Sequence, residues 1–117
     1  MAMVPKEICY LSANPHAACI EFYPDKHHCR AFKASQLIEF SLDPNPDADA
    51  NKNEPPQKIT LVFATADVVV LGWHLGLIAD NLRDNKLSAI GILSKRYAGL
   101  EGKAVFVSSI TITPISN

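Results

Sequence analysis

The chain has 117 residues, of which 48% are hydrophobic and 20% charged, with a formal net charge of −1 and a pI near 6.4. That size fits one domain, whose folding buries roughly 65% of the extended-chain surface, enough for a core without metal or disulfide staples. The near-neutral balance gives no electrostatic case for nucleic acid, whose partners carry a basic stripe or a domain pI above about 9, and no apolar run approaches the roughly 18 residues that span a bilayer.

The opening MAMVPKEICYL has no basic region followed by an apolar stretch and a small-residue cleavage site. It does not read as a signal peptide, so the expected compartment is the reducing cytoplasm. There the three cysteines are expected as free thiols and not as a disulfide framework.

Residues 6–12 have a short apolar centre of strand length, and Ala13-Asn14-Pro15 is turn chemistry. Residues 17–23 alternate: Ile20 and Phe22 share one face, and Cys19, Glu21 and Tyr23 share the other. Pro24-Asp25-Lys26 signals a turn, with residues 29–34 returning as a hairpin partner. A turn at residues 24–27 sets Phe22 opposite Cys29, which predicts Cys29 on the Phe22 face and Cys19 on the other. Residues 36–42 read as a strand, because Ile38, Phe40 and Leu42 recur every second residue. Ala34-Ser35-Gln36-Leu37 could instead start a helix.

Residues 43–57 hold four prolines, several acids and no large apolar side chain. Such a segment buries too little to offset its ordering entropy, so a mobile acidic, proline-rich loop is expected inside a single domain of residues 1–117.

Residues 59–64 and 68–71 are the strongest strands, apolar on both faces as in covered central strands. Their short connection specifies a hairpin. Asp67 after LVFATA reads as a turn residue bonding its own backbone. Gly72 and Gly76 suggest a bend and close packing. Leu75, Ile78, Ala79 and Leu82 then fall at i, i+3, i+4 and i+7 and make the apolar face of a helix, predicted to lie on the strands of residues 59–71. Asn85 is placed for a left-handed C-terminal residue, and Lys86 sits near the negative end of the helix dipole. Residues 88–93 form a short strand, 94–102 are polar with helical character at 95–100, and 104–112 form the last strand, limited by Pro114. The fold class is α+β: a mainly antiparallel, rolled sheet of six to seven strands with one principal helix packed on it.

The candidate chemistry lies near the N-terminus. Cys9, His16, Cys19, His27, His28 and Cys29 fall within 21 residues. Zinc takes such ligands, but the chain has no C-x2-C or H-x3-H pair that would place two ligands from one loop, so no metal is expected. A cysteine nucleophile needs a base within reach and a lowered thiol pKa. The catalytic candidates are Cys19, Cys29, His16 and His28. His28 precedes Cys29 and should point to the opposite face of a strand, while pairings of Cys19 with His16 and of Cys9 with His27 stay open. The plainer reading is packing cysteines and surface histidines.

No G-x-x-x-x-G-K-[ST] occurs, and no cofactor is expected. Lys95-Arg96-Tyr97 is too small a basic and aromatic set for RNA. Trp73, the single indole, is a core anchor or an interface residue, and His74 reads as a surface residue at the helix start.

Function is approached through covering. A helix is about 10 Å across and strands are about 4.8 Å apart, so one helix covers only part of a six-stranded sheet. Sheet curvature, the loop or a second chain must cover the rest. The expectation is a non-catalytic interaction or assembly module working as a homodimer, with no nucleic-acid or membrane partner. The alternative is a small enzyme or ligand-binding domain using the Cys/His groups of the N-terminal hairpin region.

Overall fold

The computed structural model describes residues 10–13, 15–52, 54–92 and 105–115. In chain order the strands are β1 (Tyr10–Ser12), β2 (Cys19–Tyr23), β3 (Arg30–Lys33), β4 (Leu37–Pro44), β5 (Gln57–Phe63), β6 (Ala66–Trp73), β7 (Leu87–Gly91) and β8 (Phe106–Pro114), with helix α1 (Gly76–Arg83) between β6 and β7. The expected residues 6–9 of the first strand and all of segment 94–102 lie outside the described residues.

The period of two decides the strands. Along β6, Ala66, Val68, Val70 and Gly72 are buried, while Asp67, Val69, Leu71 and Trp73 are half-buried. β5 alternates in the same way, burying Ile59, Leu61 and Phe63. The two strands form the expected hairpin, paired from Val62 opposite Asp67 to Gln57 opposite Gly72. Asp67 is thus a ladder residue, and the turn is Ala64-Thr65.

The structure is α+β, mostly sheet, with a single helix among the described residues. The single rolled sheet is not what forms. Among the described residues eight strands make two four-stranded sheets, ordered β1-β7-β2-β3 and β4-β5-β6-β8. The chain turns the corner between them through one 3-10 turn at Ala34–Gln36, so β3 ends the first sheet and β4 ends the second. The ambiguity at residues 34–42 resolves in sequence: a helical turn, then a strand. Pairing is mainly antiparallel; the exception is β2 beside β7, which run parallel.

Two sheets form because both have an apolar inner face. Phe63 of β5 stacks on Phe32 of β3 at 4.5 Å between ring centroids, and meets Phe22 of β2 edge-on at 5.9 Å. Ile20, Ile59, Leu61, Val68, Val70 and Ile90 join the same cluster. Each sheet therefore covers the inner face of the other, a role that one helix was too narrow to fill.

Helix α1 buries the face read from its spacing: Leu75, Ile78, Ala79 and Leu82 are all in the core. Its backbone lies nearest β4 and β7, so it fills the space between the two sheets where the sequence placed it over β5 and β6. Its first turn has no side-chain N-cap. Instead the Leu75 N–H, just before it, donates to Gln57 Oε1 at 2.7 Å. At the other end Asn85 adopts φ 56°, Asn85 N–H donates to Leu82 O at 3.1 Å, and Lys86 N–H donates to Asn81 O at 2.8 Å. These are the two bonds of a left-handed helix stop, as Asn85 predicted. The Ser12 hydroxyl, donating to the Asn81 side-chain oxygen, ties β1 to the helix.

Segment 43–57 is the connection of the β4–β5 hairpin, whose ladder runs out to Pro44 opposite Gln57. Its base is tied: Asn45 N–H donates to Pro56 O at 2.8 Å and Asn45 Nδ2 to Pro55 O at 2.9 Å. Asp49 Oδ1 accepts the Asn51 N–H at 2.9 Å, an Asx turn. No helix among the described residues is long and apolar enough to cross a membrane.

Candidate functional site

The N-terminal hairpin corrects the expected register. Phe22 lies opposite Arg30, Glu21 opposite Ala31, Ile20 opposite Phe32 and Cys19 opposite Lys33. The turn is one residue longer than the proline suggests, because Asp25 organises it. Asp25 Oδ1 accepts the His27 N–H at 2.7 Å, and both carboxylate oxygens lie 2.8 Å from His28 Nδ1. The His27 amide, and then the His28 ring, hold the Asp25 carboxyl below its ordinary pKa.

That one-residue slip moves Cys29 to the opposite face of the strand pair. It now shares the outer face of the first sheet with Cys19, Glu21 and Tyr23. The Tyr23 hydroxyl donates to Glu21 Oε1 at 2.9 Å. Partial burial, the hydrogen bond to Glu21 and the neighbouring Cys29 thiol, in that order, push the Tyr23 phenol far above its ordinary pKa. Tyr23 was not among the sequence candidates. Its signal was present in Glu21-x-Tyr23, since residues two apart on a strand share a face.

The four candidates do not converge on one centre. Cys19 and Cys29 are both free thiols on one face. The ladder sets them four residues apart, about 13 Å, too far for a disulfide or a shared ion. His28 is exposed and turns its Nδ1 to Asp25, and His16 is exposed in the connection between β1 and β2. Among the described residues no group of three or more His, Cys, Asp or Glu side chains is placed to hold a metal ion. Cys9 lies outside the described residues. Around Cys29 the chemistry is a thiol beside a phenol that stays protonated. Such a phenol donates hydrogen bonds and is a poor general base near neutral pH.

A different site opens at the far end of the second sheet. An open cleft of about 540 Å³ is lined by Leu42, Asp43, Pro44, Pro56, Gln57, Trp73 and His74. It lies where β4 ends, β5 begins and β6 turns into α1. Trp73 is half-buried and tilted 32° against Phe106 at 5.1 Å, so the indole is neither a core anchor nor a free surface group. His74 is exposed with φ 54°, a left-handed conformation in which His is enriched among non-glycine residues. Gln57 is committed to the Leu75 amide. The lining is mainly apolar, with Asp43 and His74 as its ionisable groups, and contains neither described cysteine. Spacing could not announce this cleft, because its walls come from three chain segments.

Gly72 explains how the cleft wall is built. A Cβ at this position would lie 2.1 Å from the Phe106 carbonyl oxygen, so the backbones of β6 and β8 meet here as only glycine allows. The ladder shifts register between Leu71 and Gly72, a bulge that leaves Trp73 opposite Phe106. Gly76 has open space where its Cβ would be, so close packing belongs to the first glycine alone.

Beyond the cleft, the outer face of β6 carries Val69, Leu71 and Trp73, all half-buried. Each has a same-face neighbour on β8: Thr111, Ser109 and Phe106 respectively. Val68 and Val70 on the inner face are wholly buried. The chain matches no protein-family model, no curated protein and no solved structure.

Proposed function

We propose that the protein is a non-catalytic interaction or assembly module that works as a homodimer in the cytoplasm. The observation that carries the interaction-module reading is the row Val69, Leu71 and Trp73 on the outer face of the second sheet, and the homodimer is proposed because two-fold pairs are the commonest assemblies of soluble chains. Packing of the two sheets explains why the inner face is apolar and leaves the outer row unexplained by the fold. A half-buried apolar row containing Trp suits a protein contact, where an aromatic anchor contributes much of the binding energy. Free described cysteines suit a reducing compartment.

The alternative, an enzyme or ligand-binding domain built on Cys19, Cys29, His16 and His28, has less support. It needs a thiol and an imidazole in one pocket. His28 is engaged with Asp25, and the cleft at the other end of the molecule holds no cysteine.

Sedimentation or light scattering tests the reading. The expected result is reversible association toward twice the chain mass of 12.8 kDa as concentration rises from the micromolar range. A strict monomer at every soluble concentration overturns the homodimer.

A further inference from the structure

We propose that β8 is the seam at which a second copy of this chain joins, by antiparallel edge-to-edge pairing that continues the second sheet across a two-fold axis. This rests on reading the protein as a self-associating module, and it adds where the two copies meet.

Among the described residues four strands end the two sheets: β1 and β3 in the first, β4 and β8 in the second. Short length, charge and irregular register are the devices that keep sheet edges from pairing. β1 has three residues. β3 has four, including Arg30 and Lys33. β4 has eight but carries Glu39 and Asp43, and its register shifts between Leu37 and Glu39. β8 has none of these protections along its regular part. It reads FVSSITITP over nine residues, holds no charged side chain, and places its one proline last. Its bulge is confined to the Phe106 end, and Ser109 to Thr113 pair in unbroken register with Leu71 to Asp67. Among the described residues no strand lies on its far side. A run of nine residues presents about 30 Å of edge, with alternate backbone N–H and C=O groups facing outward as a template for another strand.

The side chains fit a copy of themselves. Antiparallel self-pairing is two-fold symmetric, so each contact is made twice. It brings Ser109, Thr111 and Thr113 of the two copies together on the outer face, and Ile110 and Ile112 together on the inner face. Thr–Ser hydrogen bonds and β-branched pairs are favourable cross-strand partners. Ile112 is a position at which a second copy would add cover. It is half-buried, although Val68, its partner across the ladder, is wholly buried. A strand of the second copy on the far side of β8 would pack against it.

The seam is small. An edge about 30 Å long and 10 Å thick buries roughly 600 Å² over both copies, below the roughly 1,200–2,000 Å² of a stable interface. The dimer is therefore reversible and concentration-dependent. It does not itself cover the β6 row, so the joined sheet carries that row twice.

Sedimentation velocity over a concentration series is the test, with Thr111→Lys as the variant. Thr111 is exposed in the single copy, so the fold survives the change. Like charges gathered at the axis should raise the dissociation constant about tenfold or more. Ser41→Lys, an exposed change on β4, should leave it unaltered. Hydrogen exchange on the unmodified protein should show the outward-facing amides of residues 109–113 gaining protection as concentration rises. If the protein dimerises but Thr111→Lys dimerises equally well, the seam is wrong and self-association stands. If those amides are already protected in dilute monomer, the edge is paired within the chain and the seam is again wrong. A protein that stays monomeric throughout overturns the self-association reading itself, and the seam with it.

Discussion

A methyl group at Gly72 has no room. Its position lies 2.1 Å from the Phe106 carbonyl oxygen, which is backbone and cannot rotate away, and 3.0 Å from Leu75 Cδ2. Gly72→Ala must push β8 off β6 at the bulge, and overpacking of this kind costs about 1–3 kcal/mol. The urea midpoint should fall by a corresponding amount with the slope unchanged. A loss below about 0.5 kcal/mol, the range of ordinary surface changes, would mean that β8 yields freely. Tyr23 makes a second prediction at this scale. Its folded pKa is raised above the ordinary value of about 10. The stabilisation linked to that proton is therefore complete below about pH 10 and is lost as pH rises through the folded pKa. A phenolate titration by ultraviolet absorbance should contain one step well above pH 10 that Tyr23→Phe removes. Glu21→Gln should bring that step down, since the carboxylate accepting the phenol's hydrogen bond opposes a second negative charge. Single residues differed in how readable they were. Asn85 announced its left-handed turn, because Asn tolerates that conformation and a helix had to end there. His74 did not, since its positive φ comes from the chain leaving β6 for α1 within one residue.

At the scale of elements, α1 is the clearest case of spacing becoming packing. Ile78 is fully buried, Leu82 is nearly so, and Leu77 is 53% exposed on the other side. Ile78→Ala or Leu82→Ala should each cost about 2–5 kcal/mol, and Leu77→Ala no more than about 0.5 kcal/mol. Comparable losses at Leu77 and Ile78 in chemical denaturation would show that the helix does not present the assigned face to the core. The helix and the paired strands β5 and β6 were legible because each carries its own period over seven or eight residues. The hairpin of β2 and β3 was legible in its existence but not in its register. Proline marked the turn, yet the Asp25 side chain, bonding forward to His27 and His28, lengthened it by one residue. That slip carried Cys29 from the Phe22 face to the Tyr23 face, so the candidate site changed composition although every strand in it had been recognised. Strand partners across the molecule were the least legible of all. Nothing local to β7 says that it lies parallel to β2, whose Glu21 pairs with Ala89 from 68 residues earlier in the chain.

At the scale of the whole molecule, the sequence poses a covering problem and Phe63 is the centre of its solution. Apolar strands with one helix imply that something else must close the core. Two sheets facing one another do so, and Phe63 is the ring on which they meet. It comes from β5 of the second sheet, is fully buried, and touches Phe22 and Phe32, both from the first. Stacked and edge-on aromatic pairs add about 0.5–1.5 kcal/mol each beyond their area. Removing this ring should therefore act on both sheets at once. Phe63→Ala should cost about 3–5 kcal/mol. That is a large share of the roughly 5–15 kcal/mol that holds a domain of this size. The wild-type protein should unfold in one transition, reported identically by fluorescence of Trp73, which sits in the second sheet, and by far-ultraviolet circular dichroism, which averages over both. In Phe63→Ala both probes should move to lower denaturant together. If the Trp73 transition shifts while a separate dichroism transition stays in place, the sheets fold as independent units and Phe63 does not couple them. Coincident shifts make the two sheets one cooperative body, with the outer row of β6 and the edge of β8 held on a rigid support.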